Sequence, residues 1–453
     1  MAVGDFTSGN LRKQILSIAL PMSVGMFFNT MFNVADTYFA GQLGTAPLAG
    51  MSVSFSVFFI MLALSSGMGS GISALIAIAQ GSKRQDEVEA LTYSGIRLAT
   101  QVGIGTVVFG FFLTPVLLMA LGATGSALSY GTDYLRTLYF GAPFYLLNAA
   151  FGGILSSRGM TKPNRNFLVT GFFANLILDP LFIFGWFGLP EMGTAGVALA
   201  TVLVQAGGTV YLAQRCHKIF KVSIRRIIME RWTLYKQREI LAQGIPATLN
   251  MLTTALGIFI INYFIYRHGD DASVAGYGVA IRIEQLVLLL TLGLNTATMT
   301  LVGQNFGAKN IERIRLIYRT TMGFGVMLMA LGMVFVYVLA PVLVDAFNGN
   351  PDVVASGAGY LRIEFLALIG YAILNISIAF LQAIKRPKYA IWIGMFRQLI
   401  LPLVLFTLLG EVLGFGIHGI WWGIVISVWV GVLIGLTFVR FEMKQLERRL
   451  ELI

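Results

Sequence analysis

Two acidic residues lie inside long apolar stretches of this sequence, where an isolated charge is unfavourable. Asp36 lies near the end of the stretch 14–40, three residues after Asn33. Asp179 lies in a later apolar stretch and follows Asn175 by four residues, so these two side chains share one helix face. A carboxylate at membrane depth normally faces a cavity or a partner. These residue types and spacings are typical of a site that takes up a proton or a small cation.

The stretch that carries Asp36 has two further features of a moving helix. Asn29, Asn33 and Asp36 recur at helical spacing, which predicts a polar stripe on one face. Pro21 lies inside the helical pattern, where it removes a backbone donor and weakens the helix. We therefore expect a helix that bends at Pro21 and binds its proton or cation at Asp36.

Composition places these residues in a membrane protein. The chain has 453 residues, of which 57% are hydrophobic and 12% are charged, and its mean hydropathy is +0.78. Soluble domains have about 25% charged residues, so we predict a polytopic membrane protein. No Walker A motif and no credible nucleophile–base pair occurs, so an enzyme is not expected. The three histidines are scattered, which predicts no metal site, and we expect no cleavable signal peptide.

Twelve apolar stretches are long enough to cross a bilayer as helices. They are 14–40, 47–79, 93–121, 130–157, 165–187, 193–215, 239–266, 273–305, 315–346, 355–384, 388–410 and 414–440. The fold class predicted is therefore an all-α integral membrane protein with twelve transmembrane helices.

The loops between these stretches alternate in charge. Basic residues are concentrated in one set of loops, which includes Lys83, Arg84 and the linker 216–238. The other set is poor in Lys and Arg and holds acidic residues such as Glu191 and Asp270. The positive-inside rule then places both termini and the basic loops in the cytoplasm, for a multi-pass protein of the inner (plasma) membrane. The net charge of +11 is a topology signal with anionic lipid as a surface partner, and we expect no nucleic-acid binding.

The sequence repeats itself at a spacing of about 225 residues. ILSIALP ending at Pro21 matches ILAQGIP ending at Pro246, and YLR occurs at 134–136 and at 360–362. This predicts an N-terminal lobe of six spans at 1–215, a basic cytoplasmic linker at 216–238 and a C-terminal lobe of six spans at 239–453. Because six is even, we expect both lobes to have the same topology, related by a pseudo-twofold axis along the membrane normal.

The twelve spans in two sets of six, VGQNFGAKN after the eighth span, and RGMTKP after the fourth resemble the MATE family of multidrug and toxic compound extrusion transporters. The resemblance extends from residue 11 to about residue 440. An acid in the first span with Asn175 and Asp179 in the fifth is similar to the DinF-like bacterial and archaeal branch. The NorM-like branch instead has acids in the seventh and tenth spans. Here the seventh span has Asn262 and no acid, although Glu364 lies near the start of the tenth.

The spacing and depth of these residues predict a proton- or cation-coupling group of Asp36, Asp179 and Asn175, and a hinge at Pro21. Four further polar residues are candidates for a substrate cavity in the first lobe: Asn33, Tyr38, Asn148 and Thr201. For Asn148 and Thr201 the resemblance implies that they face the interior of the lobe. The alternative for each of these four is a structural hydrogen bond between helices.

The corresponding positions of the second lobe are Ile261, Gln398 and Pro402, so we expect the polar constellation only in the first lobe. Three further charged residues lie at apparent membrane depth, where lining of a cleft and structural ion pairs are equally open readings: Arg282, Glu284 and Arg397.

The function expected is a secondary active multidrug efflux antiporter that exports amphipathic, often cationic organic compounds in exchange for protons. No cofactor beyond the proton gradient is expected, and the protein is expected to be a monomer. A sodium-coupled drug antiporter and a flippase for lipid-linked precursors are the alternatives. Arg282 and Arg397 favour the flippase, whereas the acid cluster favours protons and cationic compounds.

Overall fold

The computed structural model describes residues 6–223, 226–227 and 234–451. Within them, the regular structure consists of helices without a strand, and we number the long helices α1–α12. Their bounds are Leu11–Gln42 (α1), Thr45–Gly81 (α2), Gln85–Ala120 (α3), Gly125–Phe140 with Ala142–Ser157 (α4), Lys162–Ile183 (α5), Gly193–Phe220 (α6), Leu234–His268 (α7), Asp271–Gly307 (α8), Ile311–Asp345 (α9), Pro351–Ala383 (α10), Lys388–Val412 (α11) and Gly416–Glu451 (α12).

Each of the twelve predicted spans lies on one of these helices, and the ends agree to within several residues except that α3 begins earlier and α12 ends later than predicted. Eleven are long and apolar enough to cross a membrane, and the two segments of α4 pass the same test together. Large apolar side chains are exposed along them, such as Phe112 at 71% and Leu331 at 64%. Such surfaces suit contact with lipid rather than water. The prediction of an all-α membrane protein with twelve spans in two sets of six is confirmed.

The fourth span is broken, whereas the sequence pattern predicted one continuous stretch at 130–157. Its two segments meet at Gly141 with a bend of 47°. Pro143 is the cause, because its ring cannot donate a backbone hydrogen bond and clashes with the carbonyl four residues earlier. A proline is tolerated in the first turn of a new helix, which explains why the second segment begins at Ala142.

The described residues divide into two compact units. The first unit is Leu20–Thr248, and the second consists of residues 6–19 together with residues 249–451. The first and seventh spans therefore each begin in one unit and continue in the other. The changes occur beside Pro21 in α1 and close to Pro246 in α7, which are the two prolines aligned by the repeat.

Polar contacts fix these two helix beginnings. In the first unit, Lys236 in α7 forms an ion pair with Glu87 at 2.9 Å. In the second unit, Arg313 donates from Nε to the carbonyl of Phe6 at 3.0 Å and from Nη2 to Gln14 Oε1 at 2.9 Å. The residues that precede Pro21 and Pro246 are thus anchored within their units by charged side chains.

The predicted linker 216–238 lies partly outside the described residues, since 224–225 and 228–233 are not among them. Its first residues continue α6 as far as Phe220, and its last residues belong to α7. Arg97 of α3 donates from Nε to the carbonyl of Ile227 at 2.6 Å, which holds that part of the linker against the first unit.

Close helix contact in the first unit depends on small residues. A Cβ placed on Gly103 of α3 would lie 2.6 Å from Cα of Pro143 in α4, whereas a Cβ on Gly105 meets nothing within 4 Å. We expect Gly103→Ala to lower the free energy of unfolding by about 1–3 kcal/mol, because the helices must separate. Gly105→Ala should leave stability equal or raise it by up to about 1 kcal/mol through helix propensity. Thermal unfolding in detergent tests the pair; equal destabilisation would contradict this packing.

Candidate functional site

One amide bridges the two buried carboxyls of the first unit. The Nδ2 atom of Asn175 in α5 donates to Asp36 Oδ1 at 2.6 Å and to Asp179 Oδ2 at 2.7 Å. Asn175 and Asp179 are fully buried, and Asp36 of α1 is 7% exposed. The spacing of four residues along α5 sets Asn175 and Asp179 on one face, and α1 brings Asp36 to that face. The structure thus brings together all three residues predicted as the coupling group.

Thr201 of α6 adds a weaker contact to the same cluster. Its Oγ1 donates to Asp36 Oδ2 at 3.4 Å, but it also lies 3.1 Å from the carbonyl of Val197 in its own helix. The phenols of Tyr134 and Tyr145 in α4 are near enough to Asp36 to interact with it electrostatically. The partners of the carboxyl cluster are therefore amide, hydroxyl and phenol groups.

Asn148 lies in a second polar network of the same unit. Its Nδ2 donates to Gln205 Oε1 at 2.7 Å, and its Oδ1 accepts from Thr209 Oγ1 at 2.9 Å. Gln205 is also hydrogen-bonded to Tyr145, which interacts electrostatically with Asp36. Sequence reasoning missed Gln205 and Thr209. Their spacing was a usable signal, because positions 201, 205 and 209 follow one another at four-residue intervals on one face of α6.

Asn33 and Tyr38, the other two predicted cavity residues, are exposed, and among the described residues their contacts lie outside the carboxyl cluster. The Nδ2 atom of Asn33 donates to the carbonyl of Asn29 in its own helix at 2.8 Å. Tyr38 is 63% exposed and packs against Phe39. Helix geometry explains the placement of Tyr38, since two residues correspond to about 200° of rotation and turn it away from Asp36. Asn33 and Asp36 also differ in burial, so the predicted stripe is not uniformly buried.

Pro21 is buried and lies inside a continuous α1. The helix is thus complete across the residue that lacks a backbone donor. The boundary between the two units falls at Leu20, so Pro21 lies where α1 passes from the second unit into the first.

The carboxyl cluster has unused capacity to accept a proton or a cation. Within the described part of the chain, Asn175 Oδ1 and Asp179 Oδ1 are buried and have no hydrogen-bond partner. Buried oxygens of carboxyl and amide groups without partners are costly unless a proton, an ion or water satisfies them. The described residues contain no group of three or more His, Cys, Asp or Glu side chains that could hold a metal. The two unpartnered oxygens of the cluster can accept a hydrogen bond or contact a small cation.

The second unit also buries carboxyls: those of Glu284 and Glu364 in α8 and α10, and that of Glu442 in α12. The expectation that such a constellation occurs only in the first lobe is therefore wrong. It compared only the positions equivalent to Asp36, Asn175 and Asp179, whereas the second unit uses different positions in α8 and α10.

Twelve apolar helices in two sequence repeats, with carboxyls buried inside the spans, are typical of membrane transporters. The family model described as MatE matches residues 21–181 and 246–407, so each match begins at one of the two repeated prolines. The chain belongs to this family, the MATE transporters, and is a membrane transporter rather than an enzyme.

The chain is similar to several named relatives. It is 29% identical over 409 residues to a protein of Shewanella oneidensis named FAD transporter, covering 88% of each chain. It is 28% identical to the probable multidrug resistance protein YpnP of Bacillus subtilis, with 80% of each covered. It is 24% identical to the multidrug export protein MepA of Staphylococcus saprophyticus, covering 93% of this chain and 92% of that protein.

Solved structures share the fold. A MATE protein in a bent conformation superposes with a TM-score of 0.91 at 24% identity, and 99% of each chain is covered. An outward-facing multidrug resistance MATE transporter gives the same TM-score and identity over 98% of this chain and 99% of that one. At this identity the likeness establishes the fold alone.

Proposed function

We propose that this protein is a secondary active antiporter that exports amphipathic, often cationic organic compounds in exchange for protons. The observation that carries the proposal is the bridge by which Asn175 joins the buried carboxyls of Asp36 and Asp179. The names of YpnP and MepA support export of diverse compounds.

The carboxyl pair explains how a proton and a cationic compound compete. Two carboxylates held by one amide nitrogen repel each other strongly when both are charged, because the surroundings have a low dielectric constant. A proton relieves the repulsion, and so does the positive group of a bound compound. Binding of one therefore disfavours binding of the other, which is the requirement for exchange. Because the two acids interact, they are expected to titrate as one coupled pair.

We further propose that protonation of Asp36 is linked to bending of α1 at Pro21. The residues before Leu20 are anchored in the second unit through Arg313, and Asp36 is bonded inside the first. A change in the bonds of Asp36 then favours a different path for the helix between these anchors. The missing hydrogen bond at Pro21 makes it the easiest place for that change.

Sodium is the second candidate for the coupling ion. Carboxyl and amide oxygens, such as Asp179 Oδ1 and Asn175 Oδ1, are ligands that a hard cation accepts. The flippase alternative would need cationic groups beside the substrate, whereas the cluster in the first unit is acidic.

Purified protein in liposomes separates these possibilities. A proton gradient and a sodium gradient are imposed separately, and uptake of a cationic dye and of FAD is followed, since one relative is named FAD transporter. We expect dye movement driven by the proton gradient alone. Dye movement driven only by the sodium gradient would show that sodium, and not the proton, is the coupling ion. Movement of FAD but not of the dye would overturn the proposed substrate class.

The hydrogen-bond distances predict unequal roles for two residues of the cluster. Asn175 forms two short bonds, whereas Thr201 forms one long bond to Asp36. We expect Asn175→Leu to lose most of the dye efflux and the similarly shaped Thr201→Val to keep most of it. Initial efflux rates at equal protein level test this, and equal rates for the two variants would contradict the bridge.

The proposed location is the inner (plasma) membrane, with both termini cytoplasmic. A single cysteine introduced at Glu191 or at Lys83, in a Cys216→Ala background, should be labelled from opposite sides. We expect a membrane-impermeant thiol reagent to reach residue 191 from outside intact cells and residue 83 only after permeabilisation. Labelling of residue 83 in intact cells would reverse the orientation.

A further inference from the structure

Two buried carboxyls of the second unit, those of Glu284 and Glu364, accept hydrogen bonds from tyrosines. Glu284 in α8 is 8% exposed and Glu364 in α10 is 1% exposed. Tyr360 Oη donates to Glu284 Oε2 at 3.3 Å, and Tyr371 Oη donates to Glu364 Oε1 at 2.9 Å. Tyr371 is also a hydrogen-bond partner of Glu284, so it connects the two acids. The Oε2 atom of Glu364 is buried without a partner among the described residues.

Arg397 supplies the opposite charge from α11. It lies in a π-helical turn, Phe396–Ile400, a local widening that often occurs at functional sites. Its guanidinium lies over the ring of Tyr371, 5.5 Å from the ring centroid, in a cation–π contact. It also interacts electrostatically with both Glu284 and Glu364.

Most of these groups line one cavity, and Glu364 lies behind it, bonded to Tyr371 of the lining. The cavity has a volume of about 250 Å³ and lies entirely within the second unit. The residues that matter here are Glu284, Tyr360, Tyr371, Asn375, Arg397 and Gln398. A water molecule takes about 30 Å³ of liquid volume, so the cavity is large enough for a small ion with its hydration. A cation that entered would compete with Arg397 for the same carboxyls.

The first unit differs in this respect. Apart from each other, Asp36 and Asp179 have neutral Asn, Thr and Tyr side chains as their described partners, whereas the acids of the second unit interact with a guanidinium that is part of the chain. Arginine keeps its charge under all physiological conditions, so it cannot be exchanged as a proton or a free ion can.

We propose that Arg397 acts as a permanently attached cation for the carboxyls of Glu284 and Glu364, in the place that a free cation would otherwise occupy. Arg397 compensates their negative charge throughout the transport cycle, so the second unit does not take up an exchangeable cation. If the proposed function is correct, this explains why coupling is confined to Asp36 and Asp179. Arg397 is thus a positioning residue that determines ion specificity.

The test removes the attached cation and offers a free one. In an Asp36→Asn background, which removes the acid of the first unit, Arg397→Ala leaves the acids of the second unit without their cation. Binding of guanidinium and of sodium to purified protein is measured by titration calorimetry. We expect Arg397→Ala to bind at least one of these two ions at least about tenfold more tightly than the same background with Arg397 intact. Guanidinium is the ion expected to gain most, because it is the group that the substitution removes.

Three controls make the result specific. Arg397→Lys keeps the charge and should show no gained binding, and Arg282→Ala removes an exposed arginine of the same unit and should show none either. Adding Glu284→Gln and Glu364→Gln to Arg397→Ala should abolish the gained binding. If Arg397→Ala does not purify, Arg397→Ala with Glu364→Gln should restore folded protein, because the charge balance is closer to that of the wild type.

The outcomes separate this proposal from the proposed function, since binding is measured without a gradient or a transported compound. No gained cation binding in folded Arg397→Ala would overturn it, as would gained binding that persists without the two glutamates. Failure of Glu364→Gln to restore a misfolded Arg397→Ala would also count against charge compensation. Absence of proton-driven dye efflux in the wild type would overturn the proposed function and leave the role of Arg397 standing.

Discussion

Asp36→Asn is expected to reduce gradient-driven efflux to the level of membranes without the protein. The amide oxygen of Asn can accept the bond that Asn175 now donates to Asp36 Oδ1, so the fold should be kept. The amide cannot take up or release a proton, however, and it removes one of the two negative charges that a cationic compound would meet. Dye efflux from cells and from proteoliposomes under an imposed proton gradient measures the effect.

The matched control is Asp133→Asn, which makes the same chemical change at an exposed position of α4. It should transport like the wild type. Protein level and thermal unfolding of both variants show whether loss of transport reflects loss of folded protein. Transport at the wild-type rate by Asp36→Asn, at equal protein level, would remove Asp36 from the coupling mechanism.

Pro21→Ala is expected to stabilise α1 and to uncouple proton binding at Asp36 from movement of the helix. Alanine restores the donor that proline lacks, so the carbonyl of Ser17 gains a helical hydrogen bond. Proline in a helix interior costs about 3 kcal/mol relative to alanine, which sets an upper limit for the gain in stability. A stiffer helix should still bind protons at Asp36 but no longer convert that binding into movement.

A spectroscopic distance between probes on α1 and α5, followed from neutral to acidic pH, measures this directly. The distance should change in the wild type and stay constant in Pro21→Ala and in Asp36→Asn. Pro351→Ala is the control, because Pro351 occupies the first turn of α10, where its missing donor does no harm. Equal movement in the wild type, Pro21→Ala and Asp36→Asn would show that the helix does not hinge at Pro21.

Helix positions and the repeat could be predicted from sequence because long apolar stretches have few alternatives in a bilayer. The contact of Asp36 with Asn175 and Asp179 was also predictable, because polar groups at membrane depth are unfavourable unless they pair with one another. The break at Gly141 was missed although Pro143 signals it, because apolar length was given more weight than proline position.

Other parts of the sites could not be read from the sequence in the same way. Asn33 and Tyr38 are close to Asp36 along the chain, but rotation around the helix decides which side chains meet. The cluster of Glu284, Glu364 and Arg397 joins three helices that are far apart in sequence. The local pattern of one helix does not indicate its partners in the others. Only the packed structure shows that Glu284 and Arg397 line one cavity and that Glu364 is bonded to Tyr371 beside it.

The most direct test of the central claim is whether binding of a compound displaces protons. The purified protein is placed in detergent with very little buffer, a cationic dye is added, and proton release is followed with a pH indicator. We predict proton release from the wild type and from Asp133→Asn, and none from Asp36→Asn. Dye binding to the wild type without proton release, or equal release from Asp36→Asn, would contradict exchange of a compound for a proton at this carboxyl pair.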